Sequence, residues 1–263
     1  MINIDRFTLN LNSKKILIVV VSLQLAFLGL IALDSLGLGI PILRQVIGFL
    51  YLTFVPGMLL LGVLRINNFN LTEVILYSVG LSLSFLMGIG TLINSLYFII
   101  PKPISELPLI LNFIVILLCI IFNQNKEFEL LLPNLGDFLS PSILLFILPI
   151  LLAVFGTYLL RFHESNFLLL ILIALISLIP FLAIHHVSSK FYPLLIFSIA
   201  FSLLLYASAA SPYIRGWDAC VELYTANLVK ANSLWNPEVP TNQNAMLSIV
   251  ILRPIYSILL GIS

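Results

Sequence analysis

Two carboxylates near the end of the chain have the residue types and the spacing that catalysis requires. Asp218 and Glu222 are four residues apart, about one turn of an α-helix, so a helix would carry both on one face. Carboxylates placed in this way can share a divalent cation, or one of them can act as a general base. Acidic residues in a first helical turn also stabilise the helix dipole, and this structural role stays open as the alternative.

The segment around these carboxylates predicts an amphipathic helix at a membrane surface. From Trp217 to Trp235, apolar side chains recur at helical spacing and polar side chains gather on a neighbouring face. Trp and Tyr rings favour the headgroup boundary of a bilayer. Because residues 210–246 form the one sizeable polar region of the sequence, we expect any active site to lie there.

The composition of the whole chain predicts an all-α fold, a polytopic transmembrane helix bundle. Hydrophobic residues make up 61% of the sequence and charged residues only 9%, which excludes a water-soluble domain. The apolar runs are about 20 residues long and lack the alternation of a β-barrel strand. The net charge of +1 gives no basic surface for nucleic acid, so membrane lipid is the expected partner.

Hydropathy predicts about eight spans separated by short polar breaks. They are Ile16–Leu33, Ile42–Leu64, Val74–Ile100, Leu107–Phe122, Ile143–Leu160, Phe167–Ile184, Phe191–Ala209 and Leu247 to the last residue. The polar stretch 123–141 predicts a boundary between two helical modules, 1–125 and 142–263. Basic residues before the first span predict a multi-pass protein of the cell membrane with a cytoplasmic N-terminus, which places the loop 210–246 outside after seven crossings.

The last quarter of the sequence carries a resemblance to a known superfamily. The residues "RGWDACVELYTANLVKANSLWNP", followed by "NAMLSIVILRPIYS", resemble the first extracytoplasmic loop and second helix of the GT-C integral-membrane glycosyltransferases, and more closely an archaeal family of uncharacterised multispanning proteins. The resemblance implies that Asp218 is the catalytic carboxylate, with Glu222 a weaker second candidate. It also implies a polyprenyl-phosphate-linked sugar as donor and, usually, a divalent metal ion. Because GT-C enzymes continue through further helices, the chain is expected to be a fragment or one half of a split protein.

A second resemblance lies in "LRQVIGFLYLTFVPGMLLLGVLRINNFNLTEVILYSVGLSLSFLMGIGTLINSLY", which is similar to an uncharacterised prokaryotic membrane domain. Its motif residues here are Arg44, Phe54, Pro56, Gly57, Glu73, Ser78, Gly80, Leu81 and Ser82, while Met58 replaces the usual aromatic residue. Pro56 lacks a backbone N–H, so Pro56 and Gly57 predict a helix break. The small residues after it, which extend to Gly88 and Gly90, favour close packing of helices, and a substrate path along the break is the alternative.

Two arginines near the carboxylates are candidates for binding a lipid phosphate. Arg253 is predicted just inside the last span, where a charge is costly and usually serves a function. Arg215 precedes the predicted amphipathic helix. Extension of the Arg253 side chain toward the headgroups, without any ligand, is the structural alternative.

Three functions therefore compete at the level of sequence. The first is GT-C-like sugar transfer from a polyprenyl-phosphate donor. The second is a transporter or channel subunit, suggested by the predicted break at Pro56 and Gly57. The third is a noncatalytic membrane scaffold that binds a further helical chain through its last span.

Overall fold

The computed structural model confirms the all-α, polytopic helix bundle. It describes residues 9–65, 71–123, 129–132, 143–187, 192–211, 213 and 216–262. Seven helices within these ranges are long and apolar enough to cross a membrane. Helices form from such runs because the hydrocarbon layer offers no water to the backbone, and an α-helix satisfies its own polar groups. The chain is therefore a multi-pass membrane protein in a lipid environment.

The elements are numbered in chain order. They are β1 (Leu9–Asn12), α1 (Ser13–Ser35), α2 (Pro41–Val63), α3 (Leu71–Ser95), α4 (Pro103–Asn123), β2 (Glu129–Leu132), α5 (Ile143–His163), α6 (Phe167–His186), α7 (Tyr192–Ala209), α8 (Trp217–Asn232), a 3₁₀ turn (Gln243–Ala245), a π-helical turn (Ser248–Leu252) and α9 (Arg253–Leu260). The two short strands pair antiparallel, with Asn12 opposite Glu129. The pairing joins the start of α1 to the chain that follows α4.

The helices belong to two compact units whose boundaries differ from the predicted modules. Met1–Pro133 and Trp217–Ser263 form unit 1, and Asn134–Gly216 forms unit 2. The first boundary falls inside the predicted polar stretch. The predicted second module, 142–263, is instead divided, because its last part packs on α2, α3 and α4. Hydropathy along the chain does not reveal contacts between such distant segments.

Unit 1 is organised around α2, which packs against α1, α3, α4 and α9. Leu52 and Leu59 of α2 are fully buried in this core. Near the middle of the helices, Gln24 donates to the carbonyl oxygen of Asn112 at 3.2 Å, and the Tyr51 hydroxyl donates to the Asn112 side-chain oxygen at 3.4 Å. Polar side chains at this depth stabilise a bundle by bonding one another, since lipid offers no alternative partner.

Unit 2 consists of α5, α6 and α7. Its α5 packs against both other helices. The Ser198 hydroxyl of α7 donates to the carbonyl oxygen of Phe146 in α5. A methyl group at Gly156 of α5 would overlap Leu169 of α6, so this glycine permits the close approach of the two helices.

The prediction of an eighth span from Leu247 onward is wrong, because the helical segment there is shorter than the seven candidate spans. The structure has one short apolar helical segment there, Ser248–Leu260, which changes from π-helix to α-helix at Arg253. At 1.5 Å per residue such a segment is only about 20 Å long, whereas the hydrocarbon layer is about 30 Å thick. Gly261, in the left-handed conformation with φ 66°, ends it. Hydropathy predicted a span here because it measures apolar content and does not detect where a helix ends.

Candidate functional site

The predicted amphipathic helix is present as α8, and it ends at Asn232 rather than at Trp235. Ala226 and Val229 lie on its buried side. Its exposed side presents aromatic rings, with Trp217 84% exposed and Tyr224 68% exposed. The position of α8 along a bilayer surface stays a prediction from the sequence.

The two candidate carboxylates lie at the beginning of α8. Asp218 is in the first turn and exposed, and Glu222 is half-buried one turn later. Within the described part of the chain, neither side chain forms a hydrogen bond or an ion pair, and no three potential ligands group as a metal centre. The structure therefore presents both carboxylates but assembles no complete catalytic centre from the described residues. Their proposed roles stay predictions.

The chain after α8 is fixed to the ends of α3 and α4. The Asn94 side chain of α3 brackets Trp235: its amide donates to the Trp235 carbonyl at 2.8 Å, and its oxygen accepts from the Trp235 backbone N–H at 2.9 Å. The backbone N–H of Ile104 donates to the Ser233 carbonyl at 3.1 Å. Because both contacts involve helix ends, α8 is held at one end of the bundle.

Asn244 organises the loop that follows. Its amide donates to the carbonyls of Asn236 at 2.8 Å and Val239 at 3.1 Å. Its backbone carbonyl accepts from the Trp235 indole at 3.1 Å, and the side chain is buried. Sequence reasoning missed Asn244 because an asparagine in a polar loop has no distinguishing pattern.

Replacing Asn244 with alanine is expected to loosen this loop and to destabilise unit 1 by about 2 kcal/mol, because the carbonyls of Asn236 and Val239 lose their donor and the Trp235 indole keeps only the backbone carbonyl of residue 244 as acceptor. The measurement is Trp235 fluorescence during denaturant titration in a Trp217→Phe background, which isolates the second tryptophan of the chain. Asn242→Ala, at an exposed neighbouring asparagine, is the control. Equal unfolding midpoints for the two variants would contradict the assignment.

Arg253 begins α9 and is half-buried. Its side chain has no hydrogen-bond or ion-pair partner among the residues that the structure describes. One turn later, the Tyr256 hydroxyl shares a hydrogen bond with Thr53 of α2 at 2.9 Å. The other candidate arginine, Arg215, lies outside the described residues.

Two cations bind the other end of α9. Arg44 donates to the carbonyls of Leu259 and Ile258, both at 2.9 Å, and also pairs with Asp34. Lys230 of α8 donates to the Ser257 hydroxyl at 2.7 Å. Cations are favoured at a helix C-terminus because the last carbonyls carry partial negative charge. The motif arginine of the second resemblance thus has a structural role, and Lys230 was not recognised from the sequence.

The predicted helix break is a packing site. α2 is continuous through Pro56, so the prediction of a break is wrong. The Gly57 backbone N–H donates to the Ser82 hydroxyl of α3 at 2.7 Å, and a methyl group at Gly57 would overlap the Ser78 carbonyl. This bond and the close contact join α2 to α3 at the position of the proline. The favoured packing role is confirmed for these residues, although the sites at Gly80 and Gly88 face open space.

Comparison with known proteins does not assign the chain to a family. No family model matches the chain, and no curated protein or solved structure is significantly similar to it. The two resemblances seen in the sequence therefore stay predictions.

Proposed function

We propose that the chain belongs to a GT-C-like membrane glycosyltransferase that uses a polyprenyl-phosphate-linked sugar. The observation that carries the proposal is the position of Asp218. This carboxylate is exposed and unpaired, within the described residues, on a helix that Lys230 and the chain after α8 attach to the bundle. An available carboxylate beside an exposed aromatic side chain such as Trp217 suits a substrate that has a lipid tail and a polar head.

Each candidate residue has a separate role in this proposal. Asp218 acts as the general base that accepts the proton of the acceptor hydroxyl, and Glu222 supports it. The half-buried Arg253 binds the lipid phosphate, with Arg215 as a second phosphate ligand. If a divalent ion takes part, Asp218 and Glu222 would hold it, since carboxylate oxygens suit a hard cation. Bound there, the ion would neutralise phosphate charge, with substrate oxygens and water completing its shell.

The proposed orientation follows from the seven candidate spans. They all precede α8, so α8 and the N-terminus lie on opposite sides of the membrane if each helix crosses once. Lys14 and Lys15 at the start of α1 favour a cytoplasmic N-terminus in the cell membrane. Asp218 would then work on the extracytoplasmic surface.

Substitution of Asp218 tests the proposal directly. With purified protein in detergent and a radiolabelled polyprenyl-phosphate-linked hexose, we expect wild-type protein to release or transfer the sugar, and Asp218→Asn to slow this by at least about 100-fold. Glu238→Gln removes an exposed carboxylate of the same loop and should keep the wild-type rate. Transfer that is absent in the wild type, or equally fast in Asp218→Asn, would overturn the proposal.

A noncatalytic scaffold or transporter subunit that binds a further helical chain is the second candidate. It is favoured by one observation, namely that the described residues bring no group of three potential metal ligands together around Asp218 and Glu222 or elsewhere. A scaffold would co-purify from native membranes with a second chain in fixed stoichiometry, and Asp218→Asn would leave that stoichiometry unchanged. A protein that remains monomeric under the same extraction would exclude the scaffold.

A further inference from the structure

A crevice runs between α1 and α4 on the side of unit 1 that carries the β1–β2 ladder. Its volume is about 360 Å³, within the range of small-molecule sites. The side chains that define it are almost entirely apolar. Those that matter here are Leu17, Val21 and Leu28 of α1, with Ile116, Cys119 and Ile120 of α4.

The length of the crevice matches half of a bilayer. It begins beside Leu17 and Asn123, near the ends of α1 and α4, and reaches Leu28. At 1.5 Å per residue, Leu17 and Leu28 are about 16 Å apart along the helix axis, close to the roughly 15 Å of one hydrocarbon leaflet. A single lipid chain that extends from the surface to the midplane would fill this distance.

The chemistry of the crevice suits hydrocarbon rather than a polar ligand. The one polar side chain at its inner end, Gln24, is 4% exposed, and its amide donates to the carbonyl and side-chain oxygens of Asn112. That amide is therefore already satisfied. Leu25 and Ile120 are exposed on the rim, which leaves the crevice open along one side.

A positive charge lies where the headgroup of such a lipid would be. Lys14 precedes Leu17 by three residues and lies on the same face of α1. Lys14 and Lys15 are both exposed, and neither forms an ion pair with another described residue. These two lysines place positive charge at this end of α1.

We propose that the α1–α4 crevice binds one acyl chain of an anionic phospholipid and that Lys14 binds its phosphate. This lipid site and the side chains that hold α8 lie at opposite ends of the helices of unit 1. The site does not depend on the proposed catalytic function. The positive charge of Lys14 selects an anionic headgroup. The concave apolar surface holds the acyl chain, so the bound lipid differs from an ordinary lipid that exchanges with the bilayer.

Competition between two lipids tests the headgroup. Delipidated protein is mixed with equal amounts of dioleoyl phosphatidylglycerol and dioleoyl phosphatidylcholine, and the one-to-one adducts are quantified by native mass spectrometry. We expect the anionic lipid to predominate, and Lys14→Gln to reduce that preference about fivefold, the effect of one lysine near a membrane surface. Arg65→Gln, at another exposed cation on the same side of the membrane, should leave it unchanged.

A second pair of variants tests the chain. Val21→Trp fills the crevice and should reduce adducts of both lipids by severalfold, whereas Val19→Trp places the same ring on the exposed side of α1 and should not. No preference in the wild type, or equal effects within either pair of variants, would overturn the proposal. If Val21→Trp fails to fold, the Lys14 and Arg65 pair still decides.

Discussion

Replacing Gly57 with alanine is expected to lower the free energy of unfolding of unit 1 by about 3 kcal/mol, at the upper end of ordinary overpacking. The new methyl group would overlap the Ser78 carbonyl and the Ser82 backbone nitrogen of α3. These are backbone atoms of a neighbouring helix and cannot move aside as a flexible side chain can. Separation of α2 from α3 would also cost the hydrogen bond from the Gly57 N–H to Ser82.

The measurement is unfolding by sodium dodecyl sulfate in mixed micelles, followed by circular dichroism. Gly80→Ala is the matched control, since a methyl group there meets no atom within 4 Å and alanine favours a helix. We expect the control to be neutral or slightly stabilising. If both alanines had the same effect, the close contact of α2 and α3 would not limit stability.

Replacing Arg44 with methionine is expected to cost about 3 kcal/mol, because charged hydrogen bonds contribute roughly 1.5–3 kcal/mol each when buried. The Arg44 side chain is only 11% exposed. Its loss leaves the carbonyls of Ile258 and Leu259 without their charged donor and Asp34 without its ion pair. The C-terminal end of α9 should then separate from α2 before the rest of the bundle unfolds.

Limited proteolysis, together with the same detergent titration, measures this separation. We expect cleavage within the segment that includes α9 to be faster in Arg44→Met than in the wild type. Lys102→Met is the control, because Lys102 is exposed and its side chain has no partner among the described residues. Cleavage at equal rates in the two variants would show that Arg44 does not hold α9.

The seven spanning helices could be predicted from sequence because each needs a long apolar run, and such runs are visible one segment at a time. The structure of the last apolar segment, from Leu247 onward, could not be predicted in this way, since it depends on contacts that α9 makes with other helices. Arg44 binds the end of α9, and it lies 215 residues before Leu259. No local pattern reports a contact across that separation.

The candidate site was predictable to the same extent. Helical spacing located α8 and placed Asp218 in its first turn, because both are local properties. The residues that hold α8 to the bundle could not be predicted, since Asn94 and Lys230 act through hydrogen bonds to residues that are not their neighbours in sequence. The prediction for Pro56 failed because the local sequence does not show whether a helix accommodates a proline, and α2 is continuous through this residue.

The division of unit 1 into two separate stretches of chain sets an order of events during biosynthesis. A ribosome makes Asn134–Gly216 after the first stretch of unit 1 and before α8 and α9. At about 5–20 residues per second, this delays the second stretch by a time on the order of ten seconds. During this interval Gly48 and Gly90 lack the contacts that Leu260 and Ile251 later supply. The nascent bundle would be open to insertion factors and quality control until the last helix arrives.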